Sequence, residues 1–104
     1  MPDDITPVTP VVVRRWRDTG DLIALFPGLP ADHQGVFVDS YMHVGQHAAA
    51  DYHGVVLATK PVSEDEAAGL IRELQRTGYR LKVIKRAFRK HHNARREAAK
   101  AAVA

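Results

Sequence analysis

Short apolar runs closed by glycine or proline are the feature that most restricts how this chain can fold. Two such runs, residues 11–16 and 22–26, flank the turn Asp18-Thr19-Gly20-Asp21. Apolar runs rich in β-branched residues around a glycine-containing turn predict a β-hairpin. Both faces of the second run are apolar, which predicts a central place in a sheet. No run approaches the ~18 apolar residues that a membrane span requires.

The segments that follow the hairpin are less regular. Residues 36–44 alternate with a period of two, which predicts a third strand with one apolar and one mixed face. Residues 45–54 are too irregular for a strand, although 46–50 could form one helical turn. Residues 55–59, Val-Val-Leu-Ala-Thr, predict a fourth short strand that ends before Pro61.

The clearest local signal is a capped amphipathic helix. Ser63 and Glu66 have the spacing of a capping box, and the acidic first turn suits the helix dipole. The apolar residues that follow keep the spacing of one helical face: Ala67, Leu70, Ile71 and Leu74. Gly78 is the expected end of the helix. The pattern predicts one helix that lays an apolar stripe on the sheet.

Two segments complete the predicted fold. Residues 79–84 predict a fifth strand whose outer face is largely basic. Residues 88–104 favour a helix by composition but have little apolar surface, so we expect a helix that is marginal alone. Its removal should then leave the rest folded.

The sequence therefore predicts an α+β fold in three parts. Residues 1–10, with three prolines, are a flexible arm. Residues 11–87 form a single domain, a mainly antiparallel sheet of four or five strands with one helix packed on one face. Residues 88–104 form a basic, alanine-rich C-terminal helical extension or tail.

Charge is distributed unevenly along the 104 residues, although the net charge is only +3. Up to Ile71 there are four basic and ten acidic residues, a net charge of −6. From Arg72 onward there are eleven basic and two acidic residues, a net charge of +9. A basic end of this kind binds a polyanion or an acidic protein surface, or it is a solvated tail.

Three stretches of the sequence resemble a known group of proteins. They are VVVRRWRDTGDLIALFP, SYMHVGQHAAADY and TKPVSEDEAAGLIRELQRTGYRLKV. They are similar to small, largely uncharacterised proteins encoded by bacteriophages and conjugative elements, and the resemblance covers about residues 11–86. It implies a mobile-element origin and no defined chemistry.

Basic residues on the hairpin, the fifth strand and the tail are the first candidate site. Such a stripe can neutralise several phosphates, and Trp16 or Phe88 could stack on an unpaired base. The candidate residues for binding nucleic acid or another partner are Arg14, Arg80, Lys82, Lys85, Arg86, Arg89, Lys90, Arg95 and Arg96.

The densest polar cluster is the second candidate, a partner-binding loop. Its residues are Tyr41, His43, Gln46, His47, Asp51, Tyr52 and His53. His43 and His47 could hold zinc or nickel on a helix, but Val44-Gly45 argues for a strand end there. No glutamate accompanies the pair as in the HExxH arrangement. We expect histidines that form local hydrogen bonds or contact a partner, with no metal site and no cofactor.

The sequence contains no signature of a common catalytic or nucleotide-binding motif. It lacks a Gly-x-Ser-x-Gly elbow, a P-loop and a dinucleotide fingerprint, and its zero cysteines exclude a thiol nucleophile and disulfides. We assign no catalytic residue.

Three hypotheses of function follow. The first is a non-catalytic phage or mobile-element accessory protein that binds nucleic acid or a host nucleoprotein through the basic strand and tail. The second is an inhibitor that binds a host defence protein directly through the loop around His47. The third is a small metal-dependent enzyme that uses His43, His47 and His53. The N-terminus has no secretory signal, so we expect a cytoplasmic protein that binds no membrane.

Overall fold

The computed structural model describes residues 8–42 and 46–103, and these form an α+β fold with a six-stranded sheet. In chain order the elements are β1 (Thr9–Trp16), β2 (Leu22–Pro30), β3 (Val38–Met42), β4 (Gln46–Ala50), α1 (Tyr52–Ala58), β5 (Thr59–Pro61), α2 (Glu64–Arg76), β6 (Leu81–Val83) and α3 (Arg89–Val103). The strand order is β4-β3-β2-β1-β5 with antiparallel neighbours, and β6 pairs in parallel with β1. The predicted fold class, including the C-terminal helix, is confirmed.

The predicted hairpin is the centre of the sheet. β1 and β2 pair antiparallel, with Val12 opposite Leu25, and the turn between them contains Gly20 at a φ of 79°. That conformation is left-handed, which glycine adopts without steric cost. The opposite edge of β1 is shared, because β6 pairs with its first half and β5 with its second half.

Both faces of the sheet are covered, which explains the continuous apolar runs in β1 and β2. On one face Val11 and Phe26 pack with Leu70 and Leu74 of α2. On the other face the buried cluster consists of Val12, Ile23, Leu25, Val38, Tyr52 and Val55. The prediction of one helix on one face is therefore incomplete, since α1 covers the second face.

The predicted helix and its cap are confirmed in α2. The Ser63 hydroxyl accepts the backbone N–H of Glu66 at 3.2 Å, and the Glu66 carboxylate accepts the N–H of Ser63 at 3.0 Å. Arg15 donates to the same carboxylate at 3.1 Å. Gly78 follows the helix with a φ of 105°.

The prediction of a strand at residues 55–59 is wrong. Tyr52–Ala58 forms α1, and only Thr59 enters a strand, β5. Tyr52, Val55 and Val56 pack into the second core cluster, and their i, i+3, i+4 spacing fits one face of a helix. This packing outweighs the β preference of the two valines.

The expectation of an irregular segment or helical turn at residues 46–50 is also wrong. These residues form β4, an edge strand that pairs antiparallel with β3, and the Ser40 hydroxyl donates to the Ala48 carbonyl at 2.7 Å. Alanine has a low strand preference, so pairing with β3 determines this conformation. The predicted third strand is shorter than expected at its start, because Val36 and Phe37 precede β3 and are exposed.

The C-terminal helix α3 packs on β2, although its composition predicts little surface for packing. Arg95 is only 4% exposed, and its guanidinium donates to the carbonyls of Pro27 and Gly35, each at 2.7 Å. Gly35 allows the close approach, because a Cβ there would lie 3.0 Å from the Arg96 Cα. Polar contacts and a glycine therefore join α3 to the sheet. The apolar periodicity of the sequence cannot reveal such contacts.

Candidate nucleic-acid interface

The basic residues of the fifth strand continue into α3 as one surface segment. Residues 80–90, which we call the basic segment, run from the residue before β6 through β6 into the first turn of α3. The segment contains no acidic residue, and its six cations are all exposed: Arg80, Lys82, Lys85, Arg86, Arg89 and Lys90. Six positive charges within eleven residues can contact several phosphates at once.

An exposed aromatic ring lies near the C-terminal end of the basic segment. Phe88 is 48% exposed, and the Arg86 guanidinium carbon lies 5.0 Å from the centre of its ring. The His91 ring lies 5.9 Å from the Phe88 ring, and His91 Nδ1 accepts the backbone N–H of Phe88 at 2.9 Å. Since α3 begins at Arg89, this hydrogen bond caps its first turn.

Two lysines of the basic segment act electrostatically on His91. Burial lowers the pKa of His91 most, and the ammonium groups of Lys90 and Lys82 lower it further. Both ammonium charges therefore act on His91, whose ring lies 5.9 Å from that of Phe88. We name Lys82, Arg86, Phe88, Lys90 and His91 the Phe88 patch.

Two predicted binding residues do not belong to this surface. Arg14 turns inward, with Nε donating to the Thr59 hydroxyl at 2.6 Å and Nη2 to the Thr59 carbonyl at 3.2 Å. Burial lowers the pKa of the Arg14 guanidinium. Arg95 is buried between α3 and β2 and cannot contact a phosphate. Both are corrections, because a cation inside a basic run need not face the solvent. Arg96 lies exposed on α3, after the Phe88 patch.

The two aromatic residues that could stack on a base differ in exposure. Trp16 is half-buried and packs against the second core cluster. Phe88 presents about half of its surface to solvent. The structure thus leaves Phe88 as the available stacking residue of the two.

The predicted partner loop is divided between two faces of the sheet. Tyr41 is buried on the α2 face, where its hydroxyl donates to the carboxylate of Glu73. His47 lies on β4 with its ring edge against Tyr41 at 4.8 Å, and its Nδ1 is 3.7 Å from an Asp39 oxygen. Nearby, burial and the Asp39 charge raise the pKa of Tyr79.

The rest of that loop belongs to the opposite face. Tyr52 is buried in α1, and its hydroxyl accepts the backbone N–H of Ala87 at 2.7 Å. His53 is exposed on α1, and its ring lies 5.7 Å from that of His92 on α3. Asp51 is exposed immediately before α1.

These placements bear on the metal hypothesis as well. His43 lies outside the described residues, and Gln46 begins β4. His47 and His53 lie on different faces of the sheet. Within residues 8–42 and 46–103, no group of three or more His, Cys, Asp or Glu side chains could hold a metal ion.

A surface cavity of about 510 Å³ adjoins the basic segment at the β1 edge. It lies where β1 passes from pairing with β6 to pairing with β5, and it is lined by Val13, Pro61, Val62, Ser63, Glu64, Ala67, Val83, Ile84 and Lys85. Six of its nine lining residues are apolar; of the polar ones, Ser63 caps α2, Glu64 lies in its first turn and Lys85 belongs to the basic segment. The cavity therefore brings together no set of catalytic side chains.

His91 is the member of the Phe88 patch that sequence reasoning missed. The available signal was its position. His91 comes three residues after Phe88, the residue that precedes α3, and a side chain at that spacing can accept the backbone N–H of Phe88. Histidine is not the glutamate or glutamine expected there, so the pattern is not recognised as a cap.

Comparison of the chain with protein-family models, curated proteins and solved structures finds no match. The resemblance to phage and conjugative-element proteins stays a prediction. In the part of the chain that the structure describes, no helix has both the length and the apolar character needed to cross a membrane.

Proposed function

We propose that this protein is a non-catalytic nucleic-acid-binding protein whose contact surface is the basic segment, centred on the Phe88 patch. The observation that carries the proposal is the exposed Phe88 ring, in contact with Arg86, in a segment of six exposed cations without a single carboxylate. Cations supply affinity for the phosphate backbone, and an exposed aromatic ring supplies contact with a base.

The electrostatics of α3 give a second argument. A helix N-terminus carries a partial positive charge, so acidic residues are stabilising in the first turn and basic ones are not. The first turn of α3 contains Arg89 and Lys90 and no acidic residue. Helix stability alone does not explain two basic residues in the first turn. A bound phosphate would interact favourably with both the cations and the helix end.

The wider role follows the resemblance of residues 11–86. We propose an accessory protein of a phage or conjugative element that acts on nucleic acid or nucleoprotein in the cytoplasm of the host cell. The alternative, an inhibitor of a host defence protein, relied on one loop around His47. That loop is divided between two faces, and Tyr41 and Tyr52 are buried, which favours the nucleic-acid proposal.

The test measures how binding depends on salt. Fluorescence anisotropy with a labelled oligonucleotide of about 15 nucleotides, near the upper end of single-strand site sizes, gives the affinity at several salt concentrations. The variant Lys82→Ala/Lys90→Ala should weaken binding and reduce the log-log salt slope by about 1.4 to 1.8, since each lost phosphate contact contributes about 0.7 to 0.9.

The matched control removes the same charge elsewhere. Lys60 on β5 and Arg72 on α2 are exposed and lie outside the basic segment. The variant Lys60→Ala/Arg72→Ala should keep most of the salt slope. Equal losses in both double variants, or no binding even at about 50 mM salt, would contradict the proposal, because electrostatic attraction is strongest at low salt.

A further inference from the structure

The basic segment exposes apolar surface as well as charge. Phe88 and Val83 are 48% and 49% exposed, so two large apolar side chains face solvent among the six cations. A duplex presents phosphates, sugars and base edges, with the faces of its bases covered by stacking. An unpaired strand also presents the faces of its bases, and every base can stack on an aromatic ring.

The backbone under Phe88 is held in place. Its N–H donates to His91 Nδ1 at 2.9 Å, and its carbonyl accepts the N–H of His91 at 3.0 Å. The Arg86 guanidinium, 5.0 Å from the ring centre, adds a second planar group that stacks on bases. Because the Phe88 ring also contacts Arg86 and His91, it loses less freedom when a base stacks on it than an unsupported ring would.

The other exposed surface of α3 is less suited to the groove of a duplex. In its second half Glu97 is exposed, and Lys100 lies 3.5 Å from the Glu97 carboxylate. The other exposed residues there are small, namely Ala98, Ala101 and Ala102. Of the exposed cations of α3, Arg89 and Lys90 continue the basic segment beside Phe88, whereas Arg96 and Lys100 lie on either side of Glu97. The positive charge is therefore densest at the end nearest Phe88.

We propose that the Phe88 patch binds single-stranded nucleic acid, with an unpaired base stacked on Phe88 and flanking phosphates held by Lys82 and Lys90. This inference rests on the proposed function and specifies its substrate class. In this proposal Phe88 determines the preference for single strands, while the surrounding cations supply affinity for single strands and duplexes alike.

The experiment compares two probes and three variants. The probes are a labelled oligothymidine of about 15 nucleotides and a duplex of the same length, each titrated at low salt by anisotropy. Phe88→Ala should weaken binding of the single strand about 5- to 150-fold, the range expected for one stacked base, and leave duplex binding within about twofold. Phe88→Tyr should retain single-strand binding, because its ring has the same stacking face.

Phe37→Ala is the matched control for loss of an aromatic ring. Phe37 is also exposed, but it lies in the loop before β3 and outside the basic segment. Its removal should change neither affinity. Thermal unfolding of each variant establishes that the fold is intact, which is expected because both rings are about half exposed.

The outcomes separate the two proposals. Tighter binding of the single strand that depends on Phe88 supports the inference. Equal or tighter duplex binding, or a Phe88→Ala effect that is equal for both probes, overturns the inference and leaves nucleic-acid binding in place. Absence of binding to either probe at low salt overturns both proposals.

Discussion

Arg95 shows at the scale of single residues how a cation in a basic run can serve the fold. Its guanidinium donates to two backbone carbonyls and to His92 Nδ1, each at 2.7 Å, within a buried site. We expect Arg95→Ala to lower the free energy of unfolding by about 2–3 kcal/mol, because two buried carbonyls lose their donors. Chemical denaturation measures this loss.

The neighbouring residue provides the control for Arg95. Arg96→Ala removes the same charge from an exposed position and should cost less than about 0.5 kcal/mol. Arg95→Lys should not restore stability, since an ammonium group cannot reproduce the planar fork that meets separate acceptors. Equal effects of Arg95→Ala and Arg96→Ala would show that the buried contacts do not stabilise the fold.

Gly35 carries the second prediction at this scale. Its φ is 73°, and a Cβ there would lie 3.0 Å from the Arg96 Cα and 3.2 Å from the Ala99 Cβ. Gly35→Ala should therefore cost about 1–2 kcal/mol for the left-handed conformation and a further 1–3 kcal/mol for displacing α3. Differential scanning calorimetry should record a clear decrease in Tm.

Gly20 separates the two contributions. It has a φ of 79°, but no heavy atom lies within 4 Å of the position of its Cβ. Gly20→Ala should show the conformational cost alone. If both variants lost the same stability, the contact between the loop and α3 would contribute nothing.

Residue-level prediction from sequence succeeded where the partners are local. Ser63 and Glu66 are three residues apart, and their spacing alone defines the capping box. Arg95 and Gly35 are sixty positions apart, and nothing in a basic run indicates which cation turns inward. His91, Arg95 and Ala99 recur every four residues and are all buried, but a histidine, an arginine and an alanine do not mark an apolar helix face in the sequence.

At the scale of elements, the first turn of α3 and the placement of the Arg95 side chain depend on two unprotonated imidazoles. His92 Nδ1 accepts from Arg95, and His91 Nδ1 accepts from Phe88, so protonating either nitrogen breaks a contact. Burial lowers the pKa of both histidines, and neighbouring charges lower it further. The groups that face them are Lys82 of β6, Tyr52 and His53 of α1, and Lys90, Arg95 and Arg96 of α3.

The consequence is a loss of stability in acid. Because the folded-state pKa values lie below the unfolded value of about 6.5, the unfolded chain binds more protons below that pH. The stability is complete above about pH 6.5 and is lost as the pH falls through the lower folded-state values. The denaturation midpoint should decrease as the pH is lowered from about 7 to about 5. Amide exchange should accelerate in α3 before it does in the sheet.

Substitution identifies the groups responsible. Glutamine can accept a hydrogen bond and does not titrate, so His91→Gln/His92→Gln should flatten this part of the pH profile. His33→Gln is the control, because His33 is exposed in the loop between β2 and β3. An unchanged pH profile in the double variant would assign the acid sensitivity to other groups.

Element types were predictable from sequence only where local preference and packing agree. The hairpin and α2 satisfy both conditions. In α1, β-branched valines favour a strand, but Tyr52, Val55 and Val56 cover the second face of the sheet as a helix. In β4, a run of alanines has no strand preference, and pairing with β3 supplies the order.

At the scale of the whole molecule, the uneven charge of the sequence corresponds to an exposed basic surface, although not every predicted residue belongs to it. Arg86 contacts the Phe88 ring, and the charges of Lys82 and Lys90 act on His91 beside it. Arg14 and Arg95 leave that surface for interior contacts. Composition could predict a basic end but not which cations the fold uses for itself.

The packing of α3 changes the expected result of a truncation. Removing residues 88–104 removes the buried side chains of His91, Arg95 and Ala99. It also removes the hydrogen bond that Arg95 of α3 donates to Pro27 of β2. We expect the truncated chain to lose more stability than Arg95→Ala, a large share of the ~5–15 kcal/mol of a typical domain. Removing only residues 101–104, after Ala99, should cost little because Ala101 and Ala102 are exposed. A shorter chain that unfolds at the same denaturant concentration as the full chain would instead make α3 an independent tail, as its composition alone suggests.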